Sequence, residues 1–262
     1  MEYFLIAVVC FLVSPLTLYS GFGLGTLLMP VFALFFPLPV AVAATAVVHG
    51  ANNGLKTALL GRNAERSLVV RFGLPALPAA LIGAALLSLF SGAQEITTYS
   101  LGGIPAVISP IKLLMAVLIG VFALFELLPR LRVIRFDRKY LMLGGVLSGF
   151  FGGLSGHQGA LRSAFLAKVG VSKEAFVGTN AVIGLMVDLV RLTVYAGAIG
   201  GVRPEYGLGT REWSLIVTGV VAAFAGVVIG KRMLHKVTMN LIQTLVGVLL
   251  LAMAIALGSG IL

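Results

Sequence analysis

Two stretches decide the fold and align without a gap: SGFGLGTLLMPVFALFFPLPVAVAATAVVHG at residues 20–50, and LSGHQGALRSAFLAKVGVSKEAFVGTNAVIG at residues 154–184. A constant shift of 134 positions brings identical residues together, among them Gly25 with Gly159, Leu27 with Leu161, Thr45 with Thr179 and Gly50 with Gly184. Further along, a shift of 147 matches Ser67 with Ser214. Because the matches keep their order in both halves, they predict an internal duplication.

The composition indicates a membrane protein. Of the 262 residues, 59% are hydrophobic and 11% are charged, and the mean hydropathy is +1.08. Soluble domains carry about 25% charged residues. So little charge cannot cover a surface in water, whereas apolar side chains face lipid without cost. The single cysteine, Cys10, excludes an intramolecular disulfide and a paired-cysteine metal site, and no cofactor is expected.

Ten apolar segments divide the chain. A spanning helix needs about 20 apolar residues, and the segments cover residues 3–19, 22–36, 40–60, 68–90, 110–129, 140–154, 158–170, 175–198, 213–230 and 239–260. Two of them, 22–36 and 158–170, are short and begin in glycine-rich runs, so they are either short tilted helices or arms of re-entrant hairpins. The sequence therefore predicts an all-α polytopic membrane protein with eight to ten transmembrane helices.

The loops predict how the chain is oriented. Basic residues collect in loops 61–67, 130–139 and 231–237, which we place in the cytoplasm, whereas loops 91–109 and 199–212 have no excess of basic residues and are placed outside. Ten crossings satisfy these placements with both termini outside. The net charge of +10 is explained by such loops, so we expect no nucleic-acid partner.

The duplication predicts an N-terminal transmembrane repeat at 1–129, a basic cytoplasmic linker at 130–139 and a C-terminal repeat at 140–262. Each repeat holds about five segments, and an odd number means that the second repeat enters the membrane from the opposite side. Inverted repeats are typical of secondary transporters, which bind substrate between the repeats on interrupted helices. The two short segments occupy corresponding positions, as that architecture requires.

Both short segments begin at a glycine turn, and the candidate substrate ligands there are Gly21, Gly23, Gly25, Gly156 and Gly159. Glycine lets a ligand approach the backbone N–H groups, and a helix that begins at such a turn directs its positive end at an anion. Close helix packing through small residues explains a single run equally well. Two runs in register favour the binding of an anion.

Polar residues of the third segment share one helix face. His49, Asn52, Asn53 and Lys56 are spaced i, i+3, i+4 and i+7. Polar groups at this depth are costly unless they face the protein interior or a wet cavity, so we assign His49, Asn52 and Asn53 to the substrate site. Hydrogen bonding between helices is the alternative for both asparagines. Lys56 either takes part in coupling or an ion pair, or extends to the membrane interface.

The second repeat has its own polar set. His157, Gln158 and Arg162 lie in or beside the second short segment, and we assign all three to the substrate site because a buried arginine needs a fixed partner or an anionic ligand. Asp188 and Arg191 are three residues apart and can pair on one helix face. Asp188 is also the alternative partner of Arg162 and a candidate to take up a coupling proton.

These stretches resemble the sulfite exporter TauE/SafE family, also called the toluene-sulfonate uptake permease family. That family has two copies of a glycine-rich turn, each leading into an apolar helix and then a helix with an A-x-x-T-S-type stretch. The copies here read GFGLGTLLMP with AVAATAVVHGANN, and GLSGHQGALRSAFL with AFVGTNAVIG. The resemblance covers nearly the whole chain. It departs from the family where His157 and Gln158 interrupt the second glycine run and where Ala164 corresponds to Pro30.

The resemblance implies a transporter of the bacterial inner membrane that moves sulfite, a sulfonate or a related anion by alternating access, without ATP. Its partners would be the lipid bilayer, the small anion and a coupling proton or sodium ion; a homodimer is left open. A passive anion channel is one alternative. Another is an intramembrane serine protease, since residues 153–156 match the G-x-S-G of rhomboid proteases. Ser155 would then need a histidine base, and the only histidine after His157 is in a basic loop, so we expect no enzyme.

Overall fold

A computed structural model describes residues 1–20, 23–132, 134–166, 169–201, 208–230 and 239–262. The first half contains α1 (Glu2–Val13), α2 (Thr17–Ser20), α3 (Leu24–Ala33), α4 (Leu38–Leu60), α5 (Arg66–Leu68), α6 (Leu74–Phe90) and α7 (Pro110–Leu127). The second half contains α8 (Pro129–Arg132), α9 (Leu141–Ser155), α10 (Gln158–Leu166), α11 (Lys173–Gly201), α12 (Thr210–Gly230) and α13 (Met239–Gly258). Every predicted apolar segment overlaps one of these helices, which confirms the all-α class.

Short elements complete the described chain. Single 3₁₀ turns lie at Gly61–Asn63 and Arg138–Tyr140, and a π-helical turn at Val69–Gly73 joins α5 to α6. The loop after α6 forms a hairpin that the sequence did not predict, in which β1 (Thr97–Leu101) pairs antiparallel with β2 (Ile104–Ile108). Two glycines with positive φ separate these strands, as a tight two-residue turn requires.

The outer surface fits a multi-pass membrane protein. Within the described residues, four helices are long and apolar enough to cross a membrane: Arg66–Phe90, Pro110–Leu127, Lys173–Gly197 and Thr210–Ile229. Shorter apolar helices are present at Glu2–Val13, Leu24–Ala33 and Gln243–Gly258. Large apolar side chains such as Val117, Val121, Val217 and Val221 point outward at helical spacing, where lipid rather than water solvates them without cost.

Helices of the first half pair with helices of the second. The main contacts are α1 with α12, α6 with α9, α7 with α13 and α4 with α11. Within each half, the short helix α3 or α10 packs against the long helix that follows it, α4 or α11. The pair α4 and α11 also contacts α12 and α6, respectively, and is therefore central to the bundle.

The glycines of α9 bring it into backbone contact with α6. A Cβ atom added at Gly145, Gly149 or Gly153 would overlap the carbonyl oxygens of Phe72, Ala76 and Ala80, respectively. These glycines are four residues apart and therefore form one face of the helix. Small residues of this kind let helix backbones approach closely where no hydrophobic effect holds helices together. Packing of small residues thus accounts for part of the second glycine-rich run.

Two of the basic loops lie at the same end of the bundle. In the linker between the halves, Phe136 stacks on Phe165 near the end of α10, with ring centroids 4.0 Å apart. In the loop after α4, the backbone N–H of Glu65 donates to Thr179 Oγ1 near the start of α11, at 2.9 Å. Loop 231–237 and residues 202–207 of loop 199–212 lie outside the described residues.

Gly149→Ala is expected to destabilise the protein, because its methyl group would overlap the carbonyl oxygen of Ala76. Overpacking of this kind costs about 1–3 kcal/mol, so the midpoint of thermal unfolding in detergent should fall. Gly197→Ala is the matched control, since an added Cβ there meets nothing within 4 Å and alanine favours the helix. Equal midpoints for the two variants would contradict the close contact of α6 with α9.

Candidate functional site

The two glycine turns meet beside the central helices. Gly156 has a φ of +81°, a left-handed conformation that ends α9, and α10 begins at Gln158. Gly23 has a φ of +123° and precedes α3, which begins at Leu24, 134 positions before Gln158. A Cβ atom on Gly25 would lie 3.4 Å from the carbonyl oxygen of Gly156. The turns that the alignment relates by sequence are therefore neighbours in space.

Each turn is the tip of a helical hairpin. Phe165, near the end of α10, stacks on the linker that leads into α9, so α9 and α10 enter and leave at one end of the bundle. At the start of α1, Glu2 accepts a hydrogen bond from Arg211 at 2.6 Å, and this guanidinium lies over the ring of Phe36, just after α3. The hairpin of α1 to α3 thus also begins and ends at one place.

Asp188 is at the centre of a buried hydrogen-bond network. Its Oδ2 atom is 2.8 Å from Nδ1 of His49 and accepts a hydrogen bond from Asn53 Nδ2, also at 2.8 Å. Its Oδ1 atom accepts hydrogen bonds from Gln158 Nε2 at 2.9 Å and from Arg191 Nε at 3.0 Å. Asp188 and Arg191 form an ion pair with no exposed surface, as their spacing of three residues indicates.

Arg162 has partners other than Asp188. Its Nε donates to Asn180 Oδ1 at 2.8 Å and its Nη1 to Gln158 Oε1 at 2.9 Å. Gln158 is one helical turn before Arg162 and therefore links it to the carboxylate of Asp188. Asn180, which the sequence places among the polar residues of the second half without assigning it a role, follows Thr179 in the A-F-V-G-T-N stretch that aligns with the first half.

Lys56 and Asn52 are buried on α4. The Nζ atom of Lys56 donates to Thr17 Oγ1 at 3.1 Å and only 4% of the residue is exposed, so Lys56 does not extend to a membrane interface. The sequence analysis did not assign Thr17 to the site. The feature that could have indicated it is that Thr17 is a polar residue close to the first glycine turn. Asn52 is fully buried, and neither polar atom of its amide has a hydrogen-bond partner among the described residues.

His157 lies outside the Asp188 network. Its ring stacks on Phe122 with centroids 5.2 Å apart, and its Nδ1 is 3.1 Å from both the carbonyl oxygen and the hydroxyl of Ser155. That hydroxyl donates to the carbonyl oxygen of Phe151. The serine proton is therefore not directed at the histidine, as a nucleophile and its base would require.

The network contains more positive than negative charge. We call the place where α4, α10 and α11 meet the crossing. Among the described residues, its buried charged side chains are Lys56, Arg162 and Arg191 and the single carboxylate of Asp188. Lys56 is close enough to Arg162 and Asp188 to interact electrostatically with both. Among the described residues, the other buried carboxylate is Glu126, which lies on α7 and interacts with Arg132. The crossing thus has a surplus of two positive charges when Lys56 is protonated and the histidines are neutral.

Most predicted residues come together, and both halves supply them. His49, Asn52, Asn53 and Lys56 come from α4, and the second half supplies Gln158, Arg162, Asp188 and Arg191. Gly23 and Gly25 lie at the start of α3, and Gly159 is buried in the first turn of α10. Gly21 lies outside the described residues. No group of three or more potential metal ligands occurs in the part of the chain that the structure describes.

Comparison with known families identifies the class of protein. The family model described as Sulfite exporter TauE/SafE matches residues 6–257. The chain belongs to the TauE/SafE family. Comparisons with curated proteins and with solved structures gave no match. TauE/SafE is a family of membrane transporters, so the polar residues inside this bundle belong to a transporter, and a non-enzymatic role is consistent with the family.

Asp188→Asn is expected to destabilise this TauE/SafE protein strongly, because it leaves Arg191 buried without its counter-charge. Removing one partner of a buried ion pair costs about 3–5 kcal/mol. The double variant Asp188→Asn/Arg191→Gln should lose less than the sum of the two single losses, since the charges disappear together. The measurement is thermal unfolding in detergent. Glu174→Gln, at an exposed carboxylate in the first turn of α11, is the control; an equal loss there, or strict additivity in the double variant, would contradict the network.

Proposed function

We propose that this protein is a secondary transporter that moves a small sulfur-containing anion, such as sulfite or an organosulfonate, across the bacterial inner membrane by alternating access. The observation that carries the proposal is the surplus of buried positive charge on Lys56, Arg162 and Arg191, which Asp188 does not balance. The TauE/SafE match supports the class of substrate.

Energetics favour an anion at this crossing. A buried charge without a counter-charge costs several kcal/mol, and charged residues inside membranes pair with one another or mark the path of an ion. A sulfur oxyanion of one or two negative charges offsets the surplus. Arginine suits such a ligand because its planar guanidinium matches groups that carry several oxygen atoms.

The anion site we propose lies between the first turns of α3 and α10, next to the polar face of α4. Asn52 contributes an amide that has no partner among the described residues. Asn53 and Arg162 approach each other around Gly184, where an added Cβ would lie 2.6 Å from Asn53 Nδ2 and 3.2 Å from Arg162 Nη2. Backbone N–H groups at the two helix starts complete the set, since helix N-termini favour anions.

We further propose that the two halves are inverted repeats. The helix contacts support this. In the proposed repeat, α1, α4, α6 and α7 correspond to α9, α11, α12 and α13. Exchanging the halves therefore converts the contact of α1 with α12 into that of α9 with α6, and leaves the contacts of α4 with α11 and of α7 with α13 unchanged. The two helical hairpins are also related. The hairpin of α1 to α3 begins and ends beside Arg211, and the hairpin of α9 to α10 begins and ends beside the linker. The two halves would then rock about the site, exposing it to each side in turn.

The short helices fit half-helices that stop inside the membrane. At about 1.5 Å per residue, the 10 residues of α3 and the 9 of α10 are shorter than a hydrocarbon core of about 30 Å. Their hairpins would enter from opposite faces and meet at the glycine turns. Discontinuous helices of this kind hold substrate in many secondary transporters.

Arg162→Ala and Asn53→Ala are expected to reduce transport at least tenfold, because each removes a donor from the proposed anion site. Uptake of labelled sulfite, sulfonates, sulfate and thiosulfate into proteoliposomes measures this. Arg211→Gln is the matched control, since this arginine is exposed at one end of the bundle and should leave uptake within about twofold. Undiminished transport by both site variants would refute the site. Accumulation against a gradient would exclude a passive channel.

Cysteine labelling tests the inverted orientation. Cys10 is the only native cysteine and is buried, so each test cysteine is introduced singly into the Cys10→Ala variant. In intact cells, a membrane-impermeant maleimide should label Ala93→Cys, in the loop after α6. It should label Asn63→Cys and Ile134→Cys, in the basic loops, only after permeabilisation. Labelling of either basic-loop cysteine in intact cells would contradict the orientation.

A further inference from the structure

His49 and Asp188 form a pair that bridges the two halves of the protein. His49 lies on α4 and Asp188 on α11, with 2.8 Å between the imidazole Nδ1 and the carboxylate Oδ2. The aspartate side chain is fully buried and 7% of the histidine side chain is exposed. The pair is therefore sheltered from bulk water and joins two helices that would move relative to each other during alternating access.

The carboxylate determines the tautomer of His49. An ionised carboxylate only accepts hydrogen bonds, so Nδ1 of His49 carries a hydrogen atom and donates it to Asp188. The amide nitrogen of Asn53 donates to the same oxygen at 2.8 Å, so its 3.1 Å approach to Nδ1 is a contact between two donors. In the neutral ring the lone pair is therefore on Nε2, and that nitrogen is the one able to take up a proton.

Asp188 is the member of the pair that stays ionised. Besides His49, it accepts hydrogen bonds from Asn53, Gln158 and Arg191, and the last of these is positively charged. Hydrogen bonds and a nearby cation stabilise a carboxylate, so a proton that reaches the pair binds the imidazole. Asp188 is a positioning residue, since it fixes the orientation of the ring and stabilises the imidazolium.

The imidazole ring of His49 lies against the first glycine turn. Its Cδ2 atom, which is bonded to Nε2, is 3.3 Å from the position that a Cβ on Gly25 would take. Arg191 and Asp188 on α11 and Lys56 on α4 act electrostatically on this ring. On α10, Arg162 adds positive charge next to Lys56, whereas α3 has no charged residue.

This arrangement links the proton to the anion. The three cations disfavour a further positive charge on His49, and an anion at the helix starts reduces that repulsion. Anion binding therefore strengthens proton binding at Nε2, and by thermodynamic reciprocity the proton strengthens anion binding. A site that releases one of them then releases the other.

We infer that a proton accompanies the anion in the same direction and that Nε2 of His49 carries it. The proton comes from water on the side to which the site is open, binds the Nε2 lone pair together with the anion, and returns to water on the opposite side. The inference rests on the proposed transport function. It assigns the coupling proton to His49, not to Asp188, which the sequence had suggested.

Proteoliposomes separate this inference from the proposed function. Counterflow of labelled sulfite, sulfoacetate, sulfate and thiosulfate is measured first, since counterflow needs a transporter but no net proton movement. Net uptake of each transported anion is then followed with the medium one pH unit more acidic than the lumen and the membrane potential clamped. One proton per anion predicts accumulation of up to about tenfold and alkalinisation of the medium. Vesicles without protein correct for leak.

In His49→Gln we expect the anion to reach about the same concentration inside and outside the vesicles. Counterflow by the same variant shows that it is folded. Glu126→Gln, which replaces a buried titratable group on α7 away from the anion site, should keep the pH-driven accumulation. Lys56→Gln tests whether the buried ammonium group carries the proton instead. Three results would each overturn the role of His49. His49→Gln could accumulate the anion as the wild type does, or only Lys56→Gln could lose the accumulation. The third is wild-type protein that gives counterflow but does not alkalinise the medium. Absence of counterflow for all four anions would overturn the proposed function instead.

Discussion

The hydrogen bonding of one buried carboxylate shapes the centre of this protein. An ionised group inside a lipid-solvated bundle is tolerated only when donors satisfy it, and the donors to Asp188 come from α4, α10 and α11. These helices must therefore approach to within hydrogen-bond distance. Small residues permit this approach, since a Cβ on Gly184 would lie 2.6 Å from the amide of Asn53 and one on Gly50 would lie 3.3 Å from Cβ of Asp188.

The glycines of α9 extend the same constraint outward. One face of this helix lies against the carbonyl groups of α6, and another faces α10, where the hydroxyl of Ser148 donates to the Gln158 carbonyl at 2.9 Å. At the end of α9, the phenol of Tyr195 donates to the carbonyl of Gly153. Backbone contact and hydrogen bonding thus replace the hydrophobic effect that would hold these helices together in water.

A network that holds the helices together is also suited to a change of state. Because three buried cations lie at this crossing with one carboxylate, the proposed anion would balance the charge, and the two halves share the residues that would hold it. A substrate that neutralises the crossing would reduce the cost of rearranging it. In the proposed cycle, His49 adjusts the charge further by carrying a proton with the anion.

Composition and periodicity determined the class of protein, the helical segments and which polar residues would be buried, because these properties depend on local sequence. The helix starts at Leu24 and Gln158 keep the 134-position shift that the sequence predicts. Only the tertiary structure decided which donor meets which acceptor. Arg162 binds Asn180 instead of Asp188, and His157 turns away from the network. Such pairings, like the bond between His49 and Asp188 across 139 positions, depend on the rotation and crossing of packed helices, which no local pattern specifies.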